Sequence, residues 1–304
     1  MLRLAILKPE FCYGPEVYAL HEHLVSYHSD KIFSQVINLN DLKLKQSEFD
    51  VVYRMMGYSP MIFNSIDIPE IHDYASISTG KFIGLKNFIK RNFQKKPVFR
   101  TFLNQNVMTV FNFRDNVPFG FRDMGVNESF FDTYDFDFFG KKFDFCYVGD
   151  ISKERGIDSL IEFFKKTKLK VLLIGDNKLG LNDCENIVFK GRVNNDEIPH
   201  LMNQSRFAIN LVPDVYPYNI QTSTKLLEYL AINIPVLSNR NFWVEGFVIE
   251  NNISLIFFDD FNALNKDFYS FYEERRSQSY YQVKKWEDVF LNSGLIDFLR
   301  NFKK

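Results

Sequence analysis

The chain has 304 residues, of which 46% are hydrophobic and 25% charged, the composition of an ordinary soluble globular protein long enough for two α/β domains. A formal net charge of −1 speaks against nucleic acid as a general partner, and no apolar run approaches the ~20 residues needed to span a bilayer. Three cysteines, Cys12, Cys146 and Cys184, have neither metal-ligand nor redox spacing, and the chain enters a strand directly after Met1, so a reduced cytoplasm is the expected compartment.

From residue 2 to about residue 126, short apolar strands alternate with helical stretches. LRLAILK is a strand, residues 17–27 a helix, DVVYRMM from Asp50 a strand and PVFRTFL from Pro97 another, the rhythm of a doubly wound sheet. PEIHDYASIS, from Pro69, places His72 and Asp73 at a strand end. Residues 81–100 carry Lys81, Lys86, Lys90, Arg91, Lys95, Lys96 and Arg100 with no acidic residue, while Leu85, Phe88, Ile89 and Phe93 share one helical face. Such a helix is either an ordinary solvated one or a contact for anionic lipid headgroups. Arg100, Arg122 and Asp123 are candidates for lining a cleft or for salt bridges between domains. FDTYDFDFFGKKFDF, from Phe131, reads as a linker. It contains Asp135-Phe136-Asp137, formally a D-x-D metal signature, which is discounted because no nucleotide-binding pattern precedes it.

The second half restarts with FDFCYVGD, a strand ending at Val148. A turn follows with Gly149, Asp150, Lys153, Arg155 and Gly156, then a helix with Leu160, Ile161 and Phe164 inward. KVLLIGD from Lys170, NIVFKGRV from Asn186, FAINLVP from Phe207 and IPVLSN from Ile234 are further strands at βαβ spacing. Five strands in that order make a Rossmann-like domain, whose ligands sit beyond the carboxyl ends of the strands. STKLLEYLAINIPVL, from Ser223, is a helix N-capped by Ser223, with Leu226, Leu227, Leu230 and Ala231 at apolar spacing and Pro235 ending it. Thr224 and Glu228 share a face, so a carboxylate stands just beyond the open amides of a helix N-terminus. Pyrophosphate oxygens can accept from those amides while ribose hydroxyls donate to Glu228. The plainer reading of Glu228 is a surface ion pair with Lys225. Residues 280–302 form a last amphipathic helix, with Val283, Trp286, Val289, Phe290, Ile296 and Leu299 as its apolar members.

At residues 223–237 the chain resembles the donor-binding half of GT-B glycosyltransferases, particularly the large retaining family four, whose pattern lEAmA-G-PVV carries a ribose-binding glutamate; Glu228 takes its place. The resemblance implies an α/β protein of the GT-B fold, two Rossmann-like domains with a cleft between them and a C-terminal helix crossing back to the N-terminal domain. Residues 1–138 would bind the acceptor, residues 139–280 the nucleotide-sugar donor, and residues 281–304 would be the crossover helix. DMGVNESFF, from Asp123, resembles the G-V-D…F signature closing the first domain, with Asn127 for its aspartate. Gly149 and Gly156 keep the frame of the family's G-R-x-x-x-x-K-G turn, with Arg155 at the lysine's place and Asp150 at the arginine's, so the second diphosphate contact is either missing or moved to Lys153. Gly191, Arg192 and Val193 match the f-G-x-v turn that meets the nucleobase. Ile220 stands where the family has an earlier glutamate, with Asn219 or Gln221 as substitutes, and His72, beside Asp73, falls near a family histidine that touches the transferred sugar.

The resemblance therefore implies catalytic roles for Arg155, Lys153, His72 and Asp73, and donor contacts by Gly149, Asp150, Gly191, Arg192, Val193, Asn219, Gln221, Ser223, Thr224, Lys225 and Glu228. No metal and no cofactor is expected, the nucleotide diphosphate sugar being a substrate. The expected function is hexosyl transfer, with retention and without an essential metal, to a saccharide or lipid-linked saccharide acceptor in bacterial surface polysaccharide assembly such as capsule or lipopolysaccharide. The expected place is the cytoplasm, peripherally at the inner face of the membrane through the basic helix. Ile220 and Asp150 leave two alternatives open, a non-catalytic sugar-nucleotide-binding scaffold and a GT-B sugar-nucleotide epimerase.

Overall fold

The computed structural model describes residues 1–9, 14–56, 66–132, 138–266 and 281–303. The D-x-D segment at Asp135 and Asp137, and Cys12, lie outside the described residues. The chain falls into two compact units, one joining Met1–Gly125, Ile220–Thr222 and Lys284–Lys304, the other Val126–Asn219 and Ser223–Val283.

In unit 1 the elements run β1 (Leu2–Leu7), α1 (Pro15–His28), β2 (Ile32–Ile37), α2 (Leu39–Leu44), β3 (Val51–Met55), β4 (Glu70–Tyr74), α3 (Ile83–Asn92), β5 (Phe99–Phe102), α4 (Gln105–Phe111) and β6 (Phe119–Phe121). The strands form one parallel sheet in the order β2-β1-β3-β4-β5-β6. Parallel strands covered on both faces need unbroken apolar runs, and β3 is buried along its whole length. Helix α1 lays Val17, Leu20 and Leu24 on this sheet, and the side chains of Asn38 and Asn104 cap α2 and α4 by accepting from the amides of Asp41 and Val107 at 2.9 and 3.0 Å.

Unit 2 contains β7 (Phe143–Val148), α5 (Ile157–Phe164), β8 (Val171–Ile174), β9 (Ile187–Gly191), α6 (Ile198–Met202), β10 (Ser205–Asn210), α7 (Thr224–Ala231), β11 (Val236–Asn239), α8 (Phe242–Glu250) and β12 (Ile256–Phe258). Its parallel sheet has the order β12-β11-β10-β7-β8-β9, one strand more than the five expected, with β12 on the edge beyond β11. Strand order reverses between β7 and β10, the switch point at which such sheets receive ligands.

The tail after residue 283 folds as two helices, α9 (Trp286–Asn292) and α10 (Leu295–Asn301), where one was expected, because Gly294 takes the left-handed conformation at φ 73°. Both pack in unit 1. Trp286, Val289, Phe290, Leu295, Ile296 and Leu299 share a core with Leu4, Val17 and Leu20. The approach is close enough to demand glycine: a Cβ at Gly125 would lie 2.7 Å from the Trp286 Cα, and one at Gly120 would overlap the Ser293 carbonyl oxygen. Truncating the fully buried Phe290 to Ala would cost about 3–5 kcal/mol.

Candidate functional site

The carboxyl ends of β7, β8 and β9 each finish in a glycine with positive φ, Gly149 at 138°, Gly175 at 141° and Gly191 at 71°. The Gly149 amide donates to Ile174 O at 2.9 Å and the Gly175 amide to Gly191 O at 3.0 Å, so the three turns are stacked edge to edge. A Cβ on Gly175 would overlap the Gly149 carbonyl oxygen. Backbone, not side chain, therefore forms the floor on this side of the switch point.

Helix α7 is fastened above that floor. The Tyr229 hydroxyl accepts from Val148 N at 2.9 Å on β7 and donates to Ile209 O at 3.4 Å on β10, tying the helix to both strands of the reversal. Ser223 holds the N-cap position, yet its hydroxyl donates to Asn210 Oδ1 at 2.9 Å and makes no cap bond. Asn210 is itself held by Ser238, whose hydroxyl accepts from Nδ2 at 2.8 Å. Capping by the Ser223 side chain is thus corrected: the first-turn amides of Thr224 and Lys225 have no acceptor among the described residues and stand open at the positive end of the helix.

Three ionisable groups gather at this mouth. The Lys225 ammonium donates to the Tyr147 hydroxyl at 3.0 Å and to Leu211 O at 3.1 Å, which places it across the gap between the ends of β7 and β10. Burial pushes Lys225 down to about 7, with the nearby Arg155 adding to the shift and Glu228 and Asp150 opposing it. Glu228, one turn along α7, is half-buried and makes no hydrogen bond among the described residues; burial pushes its carboxyl up to about 7, against the pull of Lys225. The Arg155 guanidinium lies 4.5 Å over the Tyr218 ring and has no carboxylate partner among the described residues. Two cations, two open amides and an unengaged carboxylate make a site for an anion attached to a hydroxyl-bearing group. A Cβ on Gly149 would come within 3.5 Å of the Lys225 ammonium, so glycine there keeps the cation approachable.

The other expected donor residues are distributed differently. Lys153 is exposed on the turn, and Asp150 is turned to Lys178, with the carboxylate 2.7 Å from the ammonium. Arg192 projects into solvent, 77% exposed, and reaches Asp176 at 3.4 Å, while Val193 is half-buried. Asn219 donates from Nδ2 to Asp214 at 3.1 Å. Ile220 and Gln221 belong to unit 1: Ile220 packs near Phe102 and Phe111, its carbonyl accepting from Asn106, and Gln221 accepts from Ile77 N at 3.2 Å. Thr222 donates to Asp123 at 2.7 Å in the same unit. Lys225 was the cation that sequence reasoning undervalued, because its partners Tyr147 and Leu211 are 78 and 14 residues away.

The strand-end placement expected of His72 and Asp73, on which their catalytic roles rested, is corrected. Both lie inside β4, not at its end, and both are 0% exposed. His72 Nε2 is 2.8 Å from Glu70 Oε2, which also accepts from Arg54 Nη1 at 2.6 Å; burial holds the ring's protonation below its usual range. Asp73 accepts from Arg122 Nη2 at 2.7 Å, Arg122 Nε at 3.2 Å and Thr101 Oγ1 at 2.7 Å. These are buried charges neutralised within the sheet, where removing one partner costs several kcal/mol (about 3–5). Arg100 is likewise internal, gripping both oxygens of Asp115 at 2.7 and 2.6 Å.

Residues 155–283 match the model of a family described as glycosyl transferase-like. No curated protein matches the chain by sequence. Solved structures match over nearly the whole chain. The Anabaena protein Alr3699/HepE in complex with UDP and glucose superposes with a TM-score of 0.68 at 12% identity, over 99% of this chain and 100% of that one. Sucrose-phosphate synthase from Thermosynechococcus elongatus gives 0.68 at 10% identity, over 98% of each chain. AviGT4, a glycosyltransferase involved in avilamycin A biosynthesis, gives 0.62 at 11% identity, over 99% and 97%. The chain has the GT-B fold, with a glycosyl transferase-like region in its second unit.

Proposed function

We propose that this GT-B chain transfers a sugar from a nucleotide diphosphate sugar to a saccharide or lipid-linked saccharide acceptor. The observation that carries this is the set of Lys225, Arg155, the open amides of α7 and Glu228 over the strand-order reversal of unit 2. The cations and amides hold the diphosphate, and the Glu228 carboxylate accepts from the ribose hydroxyls. In the reaction the bond from the anomeric carbon to the diphosphate oxygen breaks, the acceptor oxygen bonds to that carbon, and the acceptor's proton leaves with the diphosphate. Charge growing on the departing diphosphate is met by Arg155 and Lys225, so transfer proceeds without a divalent metal. Retention of anomeric configuration, and a place in surface polysaccharide assembly, rest on the family-four resemblance. Neighbours of the same fold were solved with UDP and UDP-glucose, which favours uridine diphosphate sugars as the first donors to try.

The test is incubation of the protein with a panel of nucleotide sugars, with and without a saccharide acceptor, following nucleoside diphosphate release and the product sugar. Release that requires acceptor supports transfer. Isomerised donor without acceptor would instead establish an epimerase, and tight binding without turnover a scaffold.

A further inference from the structure

Helix α3 touches the core of unit 1 through Ile83 and takes no part in the donor site. One side of it faces the unit: Ile83 packs by Tyr74, Phe102 and Phe111, and Asn87 Oδ1 accepts from Ser78 N at 3.1 Å. The other side faces solvent. Phe82, Leu85 and Phe88 recur every third residue and are 76%, 57% and 54% exposed; Phe93, 59% exposed, sets its ring edge to face with Phe88, centroids 6.0 Å apart. No residue of the helix is buried. Large apolar side chains clustered outward in this way mark a surface awaiting a partner.

Charge identifies the partner. Residues 81–100 contain no acidic residue, and Lys81, Lys86, Lys90 and Arg91 form no ion pair among the described residues. Three of the cations are committed elsewhere: Lys86 donates to Thr79 O at 2.9 Å, Lys95 donates to the carbonyls of Ile66, Asp67 and Ile68 at 2.8, 3.1 and 2.9 Å, and Arg100 is buried on Asp115. The remaining positive rim surrounds an aromatic and leucine face, the pattern of a helix that lies in a membrane interface. A second copy of the chain fits worse, since two-fold pairing through this face would set each copy's cations against the other's.

We propose that α3, with Phe82 and Phe93, docks the protein on an anionic lipid bilayer. The aromatic rings and Leu85 enter the boundary between headgroups and acyl chains, and Lys81, Lys90 and Arg91 meet the lipid phosphates. Among the described residues no helix is long and apolar enough to cross a membrane, so the attachment is peripheral. Phe82 supports the assignment: it starts the helix at φ 59°, a left-handed conformation costly for a bulky aromatic and comfortable for glycine.

The experiment is flotation of the full chain with phosphatidylcholine vesicles, with and without phosphatidylglycerol, at low and high salt. The expected result is binding only to the anionic vesicles, weakened by salt. Neutralising Lys81, Lys90 and Arg91 to Gln should lower vesicle affinity by on the order of a hundredfold. Phe82→Gly should weaken binding while leaving the melting temperature unchanged or higher, which separates lost docking from lost folding. No binding at low salt, equal binding to neutral vesicles, or binding indifferent to both sets of variants would each overturn the proposal. So would a stable dimer that Phe88→Ser dissociates, since that would assign the face to a second copy. Nucleotide affinity is independent of this surface, so failure here leaves the donor reading standing.

Discussion

The Lys225 ammonium lies 3.0 Å from the Tyr147 hydroxyl, joining the first turn of α7 to the end of β7 across the switch point of unit 2. Asp150 occupies the place where the family pattern has an arginine, and its charge is spent on Lys178. Lys225 brings a cation from a different element close to the same turn, its ammonium 3.5 Å from where a Cβ on Gly149 would stand. We expect Lys225→Ala to weaken UDP binding by tenfold to a hundredfold, the worth of a charged hydrogen bond of about 1.5–3 kcal/mol, while uridine binding changes little. Calorimetric titration with both ligands checks it. Equal losses for UDP and uridine would mean the lysine only supports the helix.

Lys225 and Glu228 both titrate near neutrality in the free protein, each at about 7. A diphosphate needs the lysine protonated and a ribose needs the glutamate ionised. Donor affinity should therefore fall on both sides of pH 7, above it as Lys225 loses its proton and below it as Glu228 gains one. UDP-glucose is the suitable probe, because its diphosphate diester does not itself titrate there. Glu228→Gln should weaken nucleoside binding and remove the acid limb, and Lys225→Arg should remove the alkaline limb; a flat profile for the native protein would refute both assignments. The same shifts bear on stability with a definite sign. A carboxyl raised from 4.5 to about 7 makes the fold less stable as pH climbs through that window. A lysine lowered from 10.5 to about 7 makes it more stable as pH climbs from 7 to 10.5.

Unit 2 was largely legible in the sequence because β7, β8 and β10 are buried, mostly apolar runs and Gly149 and Gly191 punctuate them at βαβ spacing. Edge strand β12 escaped, three residues long and followed by Asp259 and Asp260. Strand β4 misled for a different reason. Its sequence EIHDY looks like a polar segment offering His72 and Asp73 to a ligand, yet all five residues are buried, the charges being met by Arg54 from β3 and Arg122 just after β6. Pairing of that kind is long-range and leaves no periodic trace. The break between α9 and α10 did carry a signal, the Ser293-Gly294 pair, which the apolar spacing on either side obscured. Lys225 was legible as a donor-contact candidate beside Glu228, but its contacts with Tyr147 and Leu211 needed the fold.

Tyr229 is fully buried, and its hydroxyl serves Val148 N and Ile209 O at once. Tyr229→Phe keeps the ring and strands a buried amide and carbonyl. The expected loss is about 1–3 kcal/mol of stability, read as a lower urea midpoint with unchanged slope. Because the hydroxyl positions α7 over β7 and β10, donor affinity should fall as well. An unaltered midpoint would show that water replaces the hydroxyl without cost, and that α7 is held by packing alone.

On the proposed function, Arg155 would bear on the chemical step itself. Its guanidinium sits over Tyr218 at 4.5 Å with no carboxylate to neutralise it among the described residues, so its charge is available to a departing diphosphate. Negative charge on the leaving group grows between the bound donor and the transition state, and a cation that meets it binds the transition state more tightly than the substrate. Arg155→Ala should then lower kcat by roughly tenfold to a hundredfold with a smaller rise in KM, the split expected when an interaction strengthens as the bond breaks. Arg155→Lys should recover part of the loss, keeping charge without the two-pronged grip. If Arg155 and Lys225 carry the leaving-group charge between them, chelating divalent ions with EDTA should leave kcat largely unchanged. An activity restored only by manganese or magnesium would move that charge from the two side chains to a metal, and an Arg155→Ala variant with native kcat would leave the guanidinium no more than a partner for the Tyr218 ring.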